Sequence, residues 1–360
     1  MTTTIHLSGP ADVLAVLPYQ LGFHPSDCLV AVSLHGTRMG LVQRIDLPPP
    51  EHIGDAVAAM IVPLRQDNPT AVLLIGFEDR EGESRAMLDE MDDACEANEI
   101  WVNDRMVVRG GRWFDLDCAR SCCPPEGLQL PSVSDVPAVA EFVGRGICPL
   151  PDRSALAERV EISSPLLSRE VSALAGEWLR LRRESTDGDE TELRECRASE
   201  LAVWSRVLCD EDDAELIQAF PPQDLAMLAV SLTDVDLRDG LIAWLCPGTL
   251  PLELVDPTLF DQLSRALLEP MWLNRDVRDT EQVMALQRIE HRLCGLCAVM
   301  PDEWAAPSLT VLASFAWWRG DGALTRIALD RALKIDPHYR LAQLLERMVD
   351  LAIRPERESA

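Results

Sequence analysis

The first 120 residues carry hydrophobic and polar patterns that predict a mixed sheet with helices packed against it. Short runs of β-forming residues, one of them continuously apolar, predict strands, and apolar residues at helical spacing predict helices. The segments predicted as strands are residues 28–34, 40–47, 71–77, 100–108 and 112–117. The segments predicted as helices are residues 11–17, 51–66 and 83–98. From the first strand onward the order is β-β-α-β-α-β-β, which is a mixed α/β layer fold.

Proline and glycine refine the boundaries of these elements. Pro18 is expected to end the first helix and Pro63 to interrupt the second helix near its end, because proline has no backbone N–H to donate. Gly110 and Gly111 separate the last two predicted strands, and two glycines at this position are typical of a two-residue hairpin turn.

The rest of the chain predicts a linker followed by helices. Closely spaced prolines in residues 121–165 indicate a linker or an irregular cap. From residue 166 onward strand patterns almost disappear and apolar residues recur at helical spacing. The helices predicted there cover residues 166–183, 191–208, 212–219, 222–232, 237–246, 257–269, 279–299, 308–319, 323–334 and 338–352. We therefore expect an α+β/α architecture, with an N-terminal mixed α/β sheet domain at residues 1–120 and an all-α helical domain at residues 166–360.

The helical domain ends with the spacing of a tetratricopeptide-like helical hairpin. The residues at the expected intervals are Leu312, Gly320, Leu329, Ala332 and Pro337. Asp336 is expected to cap the helix that follows, with Pro337 at its first position. A solenoid needs at least three stacked repeats, so this single unit predicts local helix packing and not a repeat array.

Charge and composition exclude several classes of protein. The 360-residue chain has a net charge of −27, and it lacks the clustered basic patch that a nucleic-acid-binding protein needs. Lys334 is the only lysine and has no glycine-rich loop before it, which excludes a P-loop NTPase. The longest apolar run, at residues 71–77, is too short to cross a membrane, and the first residues lack the pattern of a secretory signal. We therefore expect an acidic cytoplasmic protein that binds neither nucleic acid nor membranes.

The cysteines offer one candidate metal site. Eleven cysteines in a cytoplasmic protein are expected to be mostly buried thiols. The densest cluster contains Cys118, Cys122, Cys123 and Cys148. A structural zinc ion is one interpretation of this cluster, but the adjacent Cys122 and Cys123 are poorly placed to turn toward a single ion. Buried thiols or a redox pair are therefore favoured, and no cofactor is predicted.

A second group of possible ligands falls on a predicted helix. His291, Cys294 and Cys297 follow one another at intervals of three residues. On a regular helix the first and the last of these side chains lie about 120° apart, so one ion cannot contact all three. A helix of the hydrophobic core is the favoured interpretation.

A polar group near the predicted sheet edge is the candidate ligand site. Alternation along the second strand places Arg44 and Asp46 on the same face, where they are suited to bind an anionic or hydroxylated ligand. His24 and Asp27, in the preceding loop, are placed to join them. The alternative is a structural ion pair beside a loop histidine that donates a hydrogen bond, and such pairs are more common than sites.

Several segments, in order along nearly the whole chain, resemble one known family. They are residues 7–12 (LSGPAD), 17–30 (LPYQLGFHPSDCLV), 44–48 (RIDLP), 122–127 (CCPPEG), 237–240 (LRDG), 318–333 (WRGDGALTRIALDRAL) and 336–342 (DPHYRLA). These segments are similar to the domain-of-unknown-function family 4192 of actinobacteria. The resemblance implies an uncharacterised protein of that group, and it implies no reaction.

Two hypotheses about function follow from these patterns. The favoured one is a non-catalytic binding or scaffold protein, whose helical half docks a protein partner and whose α/β half holds a small-ligand or regulatory pocket. It predicts an exposed apolar patch on the last helices that involves Trp317 or Trp318. The alternative is an enzyme of unrecognised type that uses the polar group at the sheet edge. The sequence motifs of dinucleotide enzymes, α/β-hydrolases and zincins are absent.

Overall fold

One mixed sheet occupies the first part of the chain. The structure is a computed structural model, and it describes residues 9–118, 123–186, 190–209, 215–250, 255–267 and 280–353. The strands are β1 (Cys28–His35), β2 (Arg38–Asp46), β3 (Ala71–Phe77), β4 (Val102–Arg109), β5 (Arg112–Asp115) and β6 (Leu128–Gln129). Their order across the sheet is β2-β1-β3-β4-β5-β6, with β3 and β4 parallel and all other neighbours antiparallel. This sheet and the helix-rich second half confirm the predicted fold class.

Helices pack on the sheet because its central strands are apolar on both sides. The helices of this unit are α1 (Pro10–Leu21), α2 (Ile53–Asp67), α3 (Arg85–Ala97) and α4 (Pro137–Gly144). α2 and α3 pack on one face, where Leu74 of β3 and Leu88 of α3 belong to one buried core. On the other face Ile75 and Met106 are also fully buried. The continuous apolar run of β3 is the pattern expected for such a strand.

Both prolines that were expected to disrupt helices lie inside longer ones. α1 continues past Pro18 to Leu21 and ends at Gly22, whose φ of 79° is left-handed. α2 continues past Pro63 to Asp67. The expected end of α1 at Pro18 and the expected interruption of α2 at Pro63 were wrong, because each helix buries apolar side chains beyond its proline. Tertiary packing of that kind stabilises a helix against the loss of a single hydrogen bond.

The turn between β4 and β5 is the expected two-residue hairpin. Gly110 and Gly111 have φ angles of 58° and 74°. Arg109 pairs with Arg112 across the turn. A positive φ at both central positions is what a type I′ turn requires, and glycine meets this requirement without steric cost.

The proline-rich segment predicted as a linker or cap contains regular structure. It supplies the edge strand β6, the helix α4 and the short helix α5 (Arg153–Glu158). α4 packs on α1 in a small apolar cluster that includes Val16 and Phe142. One compact unit of the chain extends to Arg153, and the next begins at Ser154.

The second unit is helical throughout its described residues. Its longer helices are α6 (Pro165–Thr186), α7 (Glu190–Val207), α8 (Pro222–Ser231), α9 (Val235–Leu245), α10 (Pro257–Ala266), α11 (Thr280–Cys297), α12 (Asp302–Arg319), α13 (Gly322–Ile335) and α14 (Arg340–Asp350). The helix predicted at residues 212–219 is reduced, in its described part, to a 3-10 turn at Ile217–Ala219. The predicted start of α12 at residue 308 was wrong. The helix begins at Asp302, before Pro307, and it buries Ala305 and Ala306. Among the described residues, no helix combines the length and the apolar character needed to cross a membrane.

α12 and α13 form a helical hairpin. Gly320 ends α12 with a φ of 87°, and Asp321 caps α13, with Oδ1 accepting the N–H of Leu324 at 2.9 Å. The cap expected from Asp336 was wrong. Its carboxylate accepts the N–H of His338 at 3.0 Å within a turn, and α14 begins only after that turn.

Candidate metal centre

Three side chains that can bind a metal ion come together at the end of β5. They belong to Asp115, Cys118 and Cys123, and one ligand atom of each lies within 4.8 Å of the others. The Oδ2 atom of Asp115 is 3.9 Å from Sγ of Cys123. The three side chains are partly exposed, and both cysteines are thiols. In the part of the chain that the structure describes, no other group of histidine, cysteine and carboxylate side chains has this geometry.

Backbone hydrogen bonds set the orientation of the Asp115 carboxylate. Its Oδ1 atom accepts the N–H of Asp117 at 2.9 Å and the N–H of Cys118 at 3.0 Å. These two bonds turn Oδ2 toward Cys123. A carboxylate held in this way is oriented for an ion before the ion arrives, which is how outer hydrogen bonds support metal sites.

The loop that carries Cys123 is attached to β5 by polar and steric contacts. The guanidinium of Arg112 donates to the carbonyl oxygens of Glu126 at 2.7 Å and Gly127 at 2.8 Å. Gly127 has a φ of +71°, and a Cβ atom there would lie 2.6 Å from the ring of Phe114. Only glycine fits so close to the ring, and the chain from Cys123 to Gly127 is therefore held beside β5.

The surroundings of the three ligands are rich in carboxylates. Burial raises the pKa of Asp104, and the neighbouring carboxylates of Asp115 and Asp117 raise it further. Arg105 binds Asp117, with Nη2 and Oδ1 2.5 Å apart. A cation is favoured where several carboxylates lie close together, because it lowers their mutual repulsion.

A cavity beside the site gives room for a further ligand. It has a volume of about 700 Å³ and is lined by the three ligands together with Trp113 and Pro124 among others. Zinc sites with three protein ligands keep the fourth position for water or substrate. The arrangement is therefore compatible with a tetrahedral ion that has one exchangeable ligand.

The predicted cysteine cluster is divided by the structure. Cys118 and Cys123 lie together, Cys148 is exposed and not part of the group, and Cys122 lies outside the described residues. Asp115 had not been indicated by the sequence patterns. The signal that could have found it is its position three residues before Cys118, because pairs of ligands at such spacing are common in zinc sites.

The ligand-like residues on α11 do not form a comparable group. Cys294 and Cys297 are buried, while His291 is exposed. Burial raises the pKa of the Cys297 thiol to about 12 and raises that of Cys294 even more. Thiols in such an environment remain protonated at neutral pH, and a protonated thiol is a poor metal ligand.

Two of the four residues of the expected ligand site are in contact. Arg44 and Asp46 form an ion pair, with Nη2 and Oδ1 2.5 Å apart, and the Arg44 guanidinium lies 5.8 Å from the ring of Phe23. His24 and Asp27 are exposed in the loop before β1. Among the described residues, neither side chain forms a hydrogen bond with Arg44 or Asp46. A ligand site made of all four residues stays a prediction.

The two tryptophans expected at a docking surface are half-buried. The indole N–H of Trp317 donates to the carbonyl oxygen of Ile353 and that of Trp318 to the carbonyl oxygen of Pro247, both at 3.1 Å. Apolar exposure near the end of the chain lies on α14, where Leu344 is 49% exposed. Docking of a protein partner stays a prediction.

A buried carboxylate that no sequence pattern had indicated lies at the carboxyl end of β3. The Oε1 atom of Glu78 accepts the N–H of Gly82 at 3.1 Å and Nη1 of Arg109 at 2.6 Å. Its Oε2 atom accepts the N–H of Ser84 at 3.0 Å and the hydroxyl of Ser84 at 2.8 Å. Although burial raises the pKa of Glu78, these hydrogen bonds bring it below its usual value.

Comparison with known proteins identifies a family for the chain. The model of a domain of unknown function, DUF4192, matches residues 10–356, which is nearly the whole sequence. No curated protein and no solved structure matches the chain. The residues that carried the resemblance in the sequence therefore led to the correct family, and this chain belongs to the DUF4192 family.

Proposed function

We propose that this protein binds a thiophilic divalent cation, above all zinc, through Asp115, Cys118 and Cys123. The observation that carries the proposal is the convergence of three ligand atoms within 4.8 Å. In a tetrahedral zinc site two sulfur ligands lie about 3.8 Å apart, as follows from zinc–sulfur bonds of about 2.3 Å. The side chains therefore need only a small contraction to enclose an ion.

The chemistry of the ligands selects the cation. Two thiols and one carboxylate form a softer ligand set than the all-oxygen sites that magnesium and calcium prefer. The carboxylate of Asp115 contributes a negative charge, and the thiols of Cys118 and Cys123 contribute two more when the ion displaces their protons. Zinc binds both thiolate and carboxylate ligands, and it has no redox chemistry of its own.

We infer a binding role for the site. Three ligands from the described residues leave a fourth position, and a side chain of a protein partner is suited to occupy it. Metal binding and docking of that partner would then depend on each other. We also propose a cytoplasmic location, where Cys118 and Cys123 would remain reduced.

Metal content and metal exchange test the proposal. The full chain is purified without chelator, its zinc is measured by inductively coupled plasma mass spectrometry, and the zinc is replaced by cobalt. We expect one equivalent of metal and a sulfur-to-cobalt charge-transfer absorption band. Cys118→Ser and Cys123→Ser should lose both signals.

Cys148→Ser is the matched control, because it makes the same chemical change at an exposed cysteine outside the group. This variant should keep the full metal content and the cobalt spectrum. If the unmodified protein binds no zinc or cobalt in stoichiometric amounts, the proposal is wrong. Equal loss of metal in Cys148→Ser and Cys118→Ser would also reject it.

A further inference from the structure

A second cavity lies in the helical unit, beside α11. It has a volume of about 250 Å³ and lies between the end of α5, the turn before α8 and one face of α11. Its charged and polar lining residues are Glu158, Arg159, Ser163, Gln218, His291 and Arg292. Two arginines and one glutamate thus line the cavity, in a protein whose net charge is −27.

Arg292 is held in this wall by main-chain oxygens. It is 7% exposed. Its Nε atom donates to the carbonyl of Val207 at 2.8 Å, and its two terminal nitrogens donate to the carbonyls of Glu215 at 2.7 Å and Arg206 at 2.5 Å. These oxygens satisfy three N–H groups of the guanidinium, but they carry no net charge to balance it.

Arg292 differs from other buried arginines of this unit because no carboxylate of the described residues forms an ion pair with it. Among the described residues none lies within ion-pair distance, and the carboxylate of Glu215 binds Arg206 instead, at 2.7 Å. Burial lowers the pKa of Arg292. By contrast, Nε of Arg182 lies 2.9 Å from Oε1 of Glu200. Burial lowers the pKa of Arg182, but the Glu200 carboxylate helps to raise it above its usual value. A buried charge without a counter-ion is costly, so an anion in the cavity would be bound favourably.

Arg159 adds a second positive charge to the same cavity. Its Nη1 atom lies 3.2 Å from Oε1 of Glu290, and Arg319 binds the other oxygen of that carboxylate. The Glu290 carboxylate therefore serves two guanidinium groups, and the charge of Asp321 also acts on Arg159. His291, exposed at the rim, is a further nitrogen donor. Glu158 is the one acidic residue of the lining.

The floor of the cavity is kept open by a glycine. Gly295 lies on α11, and a Cβ atom there would be 3.5 Å from Ile217 and 3.7 Å from Gln218. These are ordinary contact distances, so an added methyl group would narrow the cavity without a clash. A cavity of this size is smaller than those that enclose drug-sized ligands, and it therefore suits a ligand of few atoms.

We propose that this cavity binds a small oxyanion, a phosphate or carboxylate group, between the guanidinium groups of Arg292 and Arg159. Ser163 and Gln218 supply neutral hydrogen-bonding groups. Arg292 contributes a desolvated charge that has no ion-pair partner among the described residues, and Arg159 contributes a second guanidinium group. Guanidinium groups suit this task because their planar N–H pattern matches both phosphate and carboxylate oxygens.

Calorimetric titration of the full chain tests the proposal, with inorganic phosphate and with malonate as the probes, in a chloride buffer free of other oxyanions. We expect saturable binding of one anion per chain, and the tighter of the two probes identifies the source of the oxyanion. Arg159→Gln should weaken binding about tenfold or more, since one charge-assisted hydrogen bond is lost. Arg265→Gln, the same change on the exposed surface of α10, should leave the affinity within about twofold.

Gly295→Ala is the second test variant, because it narrows the cavity while all charges and the fold remain. We expect weaker binding of the larger probe, malonate, in this variant, with an unchanged circular dichroism spectrum. Cys118→Ser should bind the anion as the unmodified protein does, since the proposed metal site is separate. Absence of saturable binding of both probes would overturn the proposal, and so would equal losses in Arg159→Gln and Arg265→Gln.

Discussion

The Oδ2 atom of Asp115 lies 3.9 Å from Sγ of Cys123, although the two residues are eight positions apart in the sequence. They approach each other because β5 ends at Asp115 and the chain returns to pair with β5 through β6. An ion held by both side chains would therefore connect the two arms of a loop. Binding of that ion and stability of the loop are expected to depend on each other.

Zinc is expected to raise the free energy of unfolding of this protein. A ligand that binds only the folded state contributes about 2.7 kcal/mol when its free concentration is a hundred times its dissociation constant. Urea denaturation with zinc and with a chelator measures the difference. Cys148→Ser should gain as much from zinc as the unmodified chain, whereas Cys123→Ser should gain nothing. Stability that does not respond to zinc in the unmodified chain would contradict the expectation.

Asp234 performs two tasks that two substitutions can separate. Its Oδ1 atom caps α9 by accepting the N–H of Asp236 at 3.1 Å. Its Oδ2 atom binds Arg182 at 2.7 Å and Arg197 at 2.9 Å. Asp234→Asn keeps the cap and removes the charge, so we expect a loss of roughly 1 to 3 kcal/mol in the free energy of unfolding.

Asp234→Ala removes the cap as well and should cost about 1 kcal/mol more than Asp234→Asn. Chemical denaturation of both variants measures this difference. Equal stabilities would show that the cap contributes nothing. If Asp234→Asn is as stable as the unmodified chain, the ion pairs contribute nothing to stability.

Gly76 is expected to tolerate no side chain. A Cβ atom there would lie 2.6 Å from Cβ of Ser84 and 3.1 Å from the side chain of Leu88, both at the buried contact of β3 with α3. We expect Gly76→Ala to lower the free energy of unfolding by about 1 to 3 kcal/mol. Gly54→Ala is the control, because nothing lies within 4 Å of the added atom. That change, near the start of α2, should be neutral or stabilising.

Asp321 should make stability depend on pH near neutrality. Burial, and next the negative charge of Glu290, raise the pKa of Asp321 to about 6. An acid with a raised pKa in the folded state is stabilising in its protonated form, and this contribution is lost as pH rises through about 6. Asp321→Asn keeps a capping oxygen. It should therefore be more stable than the unmodified chain at pH 7.5, by roughly 2 to 3 kcal/mol, and of similar stability at pH 4.

Denaturation of Asp321→Asn at both pH values measures this effect. The exposed Asp236→Asn is the control, and it should change stability by no more than about 0.5 kcal/mol at either pH. A difference between Asp321→Asn and the unmodified chain that stays constant from pH 4 to pH 7.5 would contradict the expectation.

The sheet and the helical half could be predicted because buried elements impose a period on the sequence. β3 is buried on both faces, and only a continuous apolar run satisfies that environment. Gly110 and Gly111 identified their turn because few residues adopt positive φ. Pro18 and Pro63 misled the prediction, since packing beyond each proline is a tertiary property that local sequence does not contain.

The site residues depend on contacts between distant parts of the chain. Cys118 and Cys123 were visible as a local cluster, but the place of Asp115 depends on the turn after β5 and on the pairing with β6. Arg292 gives no sequence signal of its own, because its carbonyl partner in Val207 lies 85 positions away. Local patterns cannot predict contacts of this kind.

Glu78 has a consequence for where this fold can receive ligands. In open sheets, ligands usually bind beyond the carboxyl ends of parallel strands. At the end of β3 the hydrogen-bond donors of Gly82, Ser84 and Arg109 are already taken by the Glu78 carboxylate. An incoming phosphate would have to displace a buried, paired side chain. The Glu78 carboxylate thus occupies the donors that an outside anion would need at this end of β3. An anionic ligand is therefore expected to bind elsewhere in the molecule.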